Sequence, residues 1–213
     1  RALKFFPIIE PILQENGIPD DFKYLAVIES GLTHVTSTAG AEGFWQFMPQ
    51  TARDYGLEVN GDIDERLNLI KATESAAAYL TDAYAEFGNW TLAAAAYNAG
   101  VQRIKTSLEE QQTNSYYDLF LNEETSRYMY RLLATKLIFE SPETYGFAIT
   151  DEQAYAFPET KLVRISKSNI NWVDFASSYN MSYADLRELN PWIKGQSIAN
   201  RNQKEYLIQV LGD

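Results

Sequence analysis

The 213-residue chain has no cysteine, a single histidine and far fewer basic than acidic residues. The missing thiols exclude disulfides, thiolate zinc sites, iron–sulfur clusters and cysteine nucleophiles. They leave the compartment open, because cytoplasm and periplasm both tolerate cysteine-free proteins. One imidazole, His34, rules out a histidine-rich metal site and leaves a single candidate for a Ser–His–Asp triad. No Gly-x-Ser-x-Gly turn accompanies it, so His34 reads as a loop residue near a cleft. With 18 Lys and Arg against 29 Asp and Glu, the net charge is −11. That balance argues against a nucleic-acid binder, whose phosphate contacts need clustered Lys and Arg, and against a polybasic membrane-surface protein. No apolar run approaches the roughly 20 residues that span a bilayer. Neither a metal nor an organic cofactor is expected. Carboxylates, hydroxyls, amides and aromatic rings remain, and the aromatics reach 14%.

Two regions differ in pattern. From Leu3 to about Phe139 the periodicity is helical. A short apolar helix over Phe5 to Asn16 is interrupted by Pro7 and Pro11 and closed by Gly17. The next begins at Asp20 and Asp21, where carboxylates suit the positive dipole end, and stops after Ser30 at Gly31. Met48-Pro49 opens another that ends by Gly56, and apolar spacing from Ala72 to Phe87 predicts about four turns before Gly88. Asn89 caps a helix that ends at Gly100, and a last one covers Glu123 to Glu140, before Pro142. The expected division is a mainly α domain over 1–145, a linker over 146–160 and a small α+β module over 161–213. In that module the strand-like runs Leu162–Ile165 and Tyr206–Val210 bracket two helices, Trp172 to Tyr179 and one opened by a Ser182-x-x-Asp185 capping box.

Glu29 carries the most chemical information. Phe22, Leu25, Ala26 and Glu29 fall at i, i+3, i+4 and i+7, so the carboxyl lies on the apolar stripe of its helix. It also occupies the last turn, where the negative dipole end disfavours a carboxylate. Both effects raise the pKa and keep the proton on near neutral pH, as a general acid requires. The alternative at this point is a glutamate at a frayed helix end, turned to water.

Further blocks follow in order. They are Ser37-Thr38-Ala39-Gly40-Ala41-Glu42-Gly43-Phe44-Trp45-Gln46-Phe47-Met48-Pro49, then Asp64-Glu65-Arg66, Phe87-Gly88-Asn89-Trp90, Ala95-Ala96-Tyr97-Asn98-Ala99-Gly100 and Glu124-Thr125-Ser126-Arg127-Tyr128. Together with Glu29-Ser30-Gly31 they resemble the lysozyme-like catalytic domain of the lytic murein transglycosylases, in the goose-type lysozyme superfamily. Within that family they are similar to the membrane-bound transglycosylase D group. The likeness covers about residues 6 to 140.

The resemblance implies cleavage of the β-1,4 bond between N-acetylmuramic acid and N-acetylglucosamine in peptidoglycan, with a 1,6-anhydro product. It makes Glu29 the sole acid/base. It assigns Ser37, Gln46, Tyr97, Asn98 and Glu124 to substrate binding, and Tyr128 to a hydrogen bond with the catalytic carboxyl. Trp45 and Met48 read as pocket wall in preference to core, Ser30 as shaping the helix end, and Glu42 as facing solvent. Ordinary glycosidases need a second carboxylate, and none is identifiable in these blocks. The remaining alternatives are a hydrolytic muramidase and a non-catalytic wall-binding protein. The partner implied is a peptidoglycan glycan strand, bound by a monomer through hydrogen bonds and stacking. The location implied is the periplasm or the outer-membrane-associated envelope. Arg1 in place of a methionine suggests a processed chain, with any signal peptide or lipid anchor lying upstream.

The C-terminal module resembles a LysM domain, a unit that recognises N-acetylglucosamine-containing polymers. Its Tyr179–Pro191 stretch and strand–helix–helix–strand order carry the likeness. The usual Gly-Asp-Ser/Thr turn, part of the sugar groove, is replaced by Lys167-Ser168-Asn169-Ile170-Asn171. The resemblance therefore extends to the fold ahead of glycan binding. Trp172 and Trp192 stand open between sugar stacking and core packing.

Overall fold

Alanine decides how the first region packs. In the computed structural model, which describes residues 1–148 and 158–212, this region contains α1 (Ala2–Glu15), α2 (Lys23–Ser30), α3 (Pro49–Asp54), α4 (Leu69–Phe87), α5 (Trp90–Ala99), α6 (Val101–Glu110) and α7 (Glu123–Glu140). Ala72, Ala76, Ala77 and Ala83 of α4 and Ala93 to Ala96 of α5 are fully buried. Four consecutive buried residues leave α5 no solvent face in its middle, as expected of a central helix. It packs against α4, α6 and α7, and small side chains let those axes approach closely.

The helix ends follow local chemistry. Gly31 (φ 60°) and Gly88 (φ 62°) terminate α2 and α4 in the left-handed conformation that glycine adopts without steric cost. Asn89 Oδ1 accepts from the Thr91 and Leu92 N–H groups at 2.8 and 3.1 Å and starts α5. Two expectations are corrected here. Pro7 and Pro11 do not interrupt α1, which is continuous. Both prolines are exposed and spaced i, i+4, so they share the solvent face, where the carbonyls freed at Leu3 and Pro7 can take water. The helix α6 is absent from the sequence reading because its surface is polar, with only Ile104 buried, and it follows Gly100 with no side-chain cap.

The C-terminal region holds β1 (Thr160–Ile165), β2 (Ile170–Asn171), α8 (Trp172–Ser178), α9 (Tyr183–Leu189), β3 (Ser197–Ile198) and β4 (Tyr206–Leu211). Strand β1 pairs antiparallel with β4, from Thr160 opposite Leu211 to Ile165 opposite Tyr206, and β2 pairs antiparallel with β3. The capping box at Ser182 forms: its hydroxyl accepts the Asp185 N–H at 3.1 Å and Asp185 Oδ2 accepts the Ser182 N–H at 2.9 Å. Residues 149–157 of the expected linker lie outside the described residues.

Both module tryptophans belong to its core. Trp172 is fully buried, and Trp192 is buried and stacks on Tyr206 with ring centroids 5.8 Å apart. Neither face is free for a sugar. Ile63 and Leu67, from the helical region, complete this second core.

Candidate active site

The catalytic candidate sits where α2 meets α7. Glu29 is the penultimate residue of α2, half-buried, and α7 packs across that helix. The Tyr128 hydroxyl on α7 donates to Glu29 Oε1 at 2.5 Å. Burial pushes the Glu29 carboxyl above its ordinary value. The Tyr128 hydrogen bond and the positive charge of Arg131 act the other way without overcoming burial, while the Glu124 carboxylate adds to the rise. Among the described residues no lysine or arginine forms an ion pair with Glu29. Its surroundings therefore favour the protonated acid. Burial also holds the Tyr128 and Tyr97 phenols well above their usual range, so both remain donors.

The end of α5 supplies the next residues. Tyr97 is half-buried; its hydroxyl donates to the Trp45 carbonyl at 2.7 Å. Asn98 Nδ2 donates to Glu124 Oε1 at 3.1 Å, and its Oδ1 accepts from the buried Thr125 hydroxyl at 2.9 Å. Asn122 caps α7 by accepting the Thr125 N–H at 3.1 Å, which presents Glu124 in the first turn. Glu29, Tyr97, Asn98, Glu124 and Tyr128 thus converge from three helices.

Loop 36–47 forms the flank. Thr36, Glu42 and Phe47 make a small antiparallel bridge system. Ser37 Oγ accepts the Ala41 N–H at 2.9 Å, and Gln46 Nε2 donates to the Val35 and Gly43 carbonyls at 2.9 and 2.8 Å. These bonds close the loop on itself, and among the described residues neither side chain bonds Glu29. Gln46 also has φ 49°, a left-handed conformation uncommon for a non-glycine residue. Glu42 is half-buried and takes the Thr36 hydroxyl on both oxygens, at 3.0 and 2.9 Å. Ser30 Oγ donates to the Ala26 and Phe44 carbonyls at 3.0 Å each and ties the end of α2 to the loop. Met48 is exposed.

Trp45 corrects the sequence reading. Its side chain is fully buried in the helical core and its indole N–H donates to Thr73 Oγ1 at 2.9 Å, so only its backbone carbonyl serves the site. Exposed His34 packs edge-on against Phe44 at 4.7 Å and, among the described residues, has no triad partner.

Arg66 enters the sequence analysis only within the Asp64-Glu65-Arg66 block that carries the resemblance, with no role of its own. It is buried, forms a two-bond ion pair with Asp64 (Nε–Oδ1 2.9 Å, Nη2–Oδ2 2.8 Å), and donates through Nη1 to the carbonyls of Gly40 (2.8 Å) and Phe47 (3.0 Å). Gly43 lies so close that a Cβ there would be 2.2 Å from the Arg66 carbonyl oxygen. The signal available was an Asp-x-Arg spacing in a segment with few apolar residues. Arg131, whose guanidinium donates to the Ile28 carbonyl at 3.0 Å, lies outside every block of the sequence analysis.

Among the described residues no group of three His, Asp or Glu side chains could hold a metal. A wide depression of about 730 Å³ lined by Glu86, Phe87, Lys105 and Glu109 lies elsewhere and includes none of these site residues.

The family model described as the transglycosylase SLT domain matches residues 6–120, more than half of the chain. The chain belongs to that family. The model of the soluble lytic transglycosylase C-terminal LysM-like domain matches residues 161–210. The membrane-bound lytic murein transglycosylase D of Escherichia coli is 28% identical over 205 residues, covering 93% of this chain and 44% of that protein. The chain thus spans under half the length of that curated relative. Among solved structures, the 70 kDa soluble lytic transglycosylase of Escherichia coli superposes with a TM-score of 0.54 at 25% identity, covering 65% of this chain and 24% of that one. The same enzyme complexed with bulgecin A gives 0.53 at 25% identity, over 71% of this chain and 26% of that one. An inactive variant of lytic transglycosylase Slt from Pseudomonas aeruginosa, 22% identical and covering 70% of this chain and 26% of that one, shares the fold with a TM-score of 0.53. Among the described residues of this SLT-family chain, no helix is long and apolar enough to cross a membrane.

Proposed function

We propose that this SLT-family chain is a peptidoglycan lytic transglycosylase in which Glu29 is the single acid/base. The observation that carries the reading is the half-buried Glu29 carboxyl, its pKa raised by burial and one oxygen held by Tyr128. Protonated Glu29 gives its proton to the glycosidic oxygen as the bond from the muramic anomeric carbon to that oxygen breaks. The substrate's own acetamido oxygen stabilises the positive charge at the anomeric carbon. Ionised Glu29 then takes the proton of the muramic C6 hydroxyl, whose oxygen bonds the anomeric carbon and closes the 1,6-anhydro ring. One proton leaves Glu29 and one returns, so the enzyme is restored and no water is consumed. The Tyr128 bond stabilises the carboxylate between the two transfers.

Asn98, Glu124, Tyr97, Gln46, Ser37 and Met48 line the sugar subsites in this reading. The catalytic domain is assigned to 1–145, the linker to 146–160 and the LysM-like module to 161–213. The chain acts as a monomer in the cell envelope, in keeping with its similarity to a membrane-bound lytic murein transglycosylase.

The test is digestion of purified sacculi by the wild-type chain and by Glu29→Gln. Release of soluble muropeptides by the first, and a fall of at least about a thousandfold in the second, is expected from loss of the only acid/base. Full activity of Glu29→Gln would remove this glutamate from the chemistry.

A further inference from the structure

The stretch from Glu58 to Leu67 has two sides. Asn60 Oδ1 accepts the N–H groups of Asp62 and Ile63 at 2.8 and 2.9 Å, and the turn it makes presents Ile63 to the C-terminal module. Ile63 is fully buried in that module's core and pairs antiparallel with Ile193. The Asp64 N–H donates to the Trp192 carbonyl at 2.8 Å and the Lys194 N–H to the Asp62 carbonyl at 2.7 Å. Lys204 reaches across to Glu58 Oε2 at 2.6 Å and to buried Glu65 at 3.4 Å, and the Tyr206 hydroxyl donates to Glu58 Oε2 at 3.1 Å.

The side chains between these anchors turn the other way. Asp64 and Arg66 form the buried pair whose guanidinium holds the Gly40 and Phe47 carbonyls of loop 36–47. That loop bonds Tyr97 through the Trp45 carbonyl and Ser30, the neighbour of Glu29, through the Phe44 carbonyl. An unbroken set of contacts therefore runs from the module to the residue beside the acid.

We infer that the C-terminal module braces the loop flanking the catalytic acid, and that Arg66 is the positioning residue through which it acts. The inference rests on the functional reading above only for its consequence in catalysis. Its structural part concerns how tightly loop 36–47 is held. Undocking the module frees residues 62–64, slackens the Asp64–Arg66 pair and lets the loop open.

The test uses the full chain with Ile63→Ala, which empties the anchor in the module core, and Lys204→Met, which removes the ion pairs to Glu58 and Glu65 at the seam and leaves both cores intact. Phe175→Leu is the control, because its ring neighbours Trp172 and Tyr179 lie within the module. Hydrogen exchange at the amides of Ser37, Ala41 and Gly43 should quicken at least tenfold in Ile63→Ala and about threefold in Lys204→Met, and hold in Phe175→Leu. With a soluble glycan-strand fragment, KM should rise in the two seam variants while the basic limb of the pH profile, set by Glu29, stays in place. Unchanged loop exchange in both seam variants, or equal quickening in Phe175→Leu, overturns the brace. A wild-type chain without lytic activity sinks the functional reading instead, and the exchange measurement still decides the brace.

Discussion

Replacing Tyr128 by phenylalanine isolates the role of one hydrogen bond in tuning one acid. The hydroxyl donates to Glu29 Oε1 at 2.5 Å from a buried ring, so Tyr128→Phe removes the donor and little volume. A hydrogen bond to a charged group contributes about 1.5–3 kcal/mol, and here that stabilisation belongs to the ionised carboxyl. Two consequences pull apart. The Tyr128 bond lowers a Glu29 pKa that burial raises, so its loss moves the basic limb of kcat/KM to higher pH. In the proposed mechanism the carboxylate formed during bond cleavage also loses its donor, and the same 1.5–3 kcal/mol costs roughly ten- to a hundredfold in plateau kcat. The assay is muropeptide release across a pH series, with folding checked by thermal melts. A slower enzyme active to higher pH supports the account. A basic limb that stays fixed or moves to lower pH would refute the claim that Tyr128 tunes Glu29.

Three further outcomes follow from the geometry. Because burial raises the folded pKa of Glu29, its contribution to stability is complete below the ordinary carboxyl value of about 4.3 and is lost as pH rises through the folded value. Glu29→Gln should therefore match the wild type in melts at low pH and exceed it near neutrality; a lower melting temperature there would contradict the burial argument. Trp45→Phe removes a buried indole and its bond to Thr73, so denaturant unfolding should show a loss of about 1–3 kcal/mol, with KM nearly unchanged. A Gly43→Ala chain would place a Cβ 2.2 Å from the Arg66 carbonyl at a φ of 79°, and should lose more than about 2 kcal/mol or fail to accumulate folded, as read by expression and melts.

Legibility in the sequence tracked how local the physics is. Glycine at 31 and 88 and asparagine at 89 set helix ends through their own backbone and side chain, so those boundaries are readable from a few residues. The half-burial and raised pKa of Glu29 were readable because its apolar stripe and its place in the last turn are both properties of one helix. Its contact with Tyr128, 99 positions away, came from resemblance, since spacing alone does not encode which of 14 tyrosines meets it. Trp45 misled because its neighbours are loop residues while its indole turns inward to Thr73 on α4. The proline pair in α1 misled because the rule against proline weakens on an exposed face. The block that contains Arg66 was legible but its bracing role was not, because two of its acceptors are backbone carbonyls 26 and 19 positions upstream, which carry no side-chain signature. The attachment of Ile63 to the second core was invisible for the same reason of distance.

The chemistry reduces to whether water enters the product. Sacculi digested by the wild-type chain in water enriched in heavy oxygen, followed by mass analysis of the released muropeptides, decides it directly. Products one water lighter than the hydrolytic ones, carrying no heavy oxygen, are the predicted result. Reducing-end muropeptides labelled with heavy oxygen would show hydrolysis and contradict a Glu29 that works alone on the C6 hydroxyl.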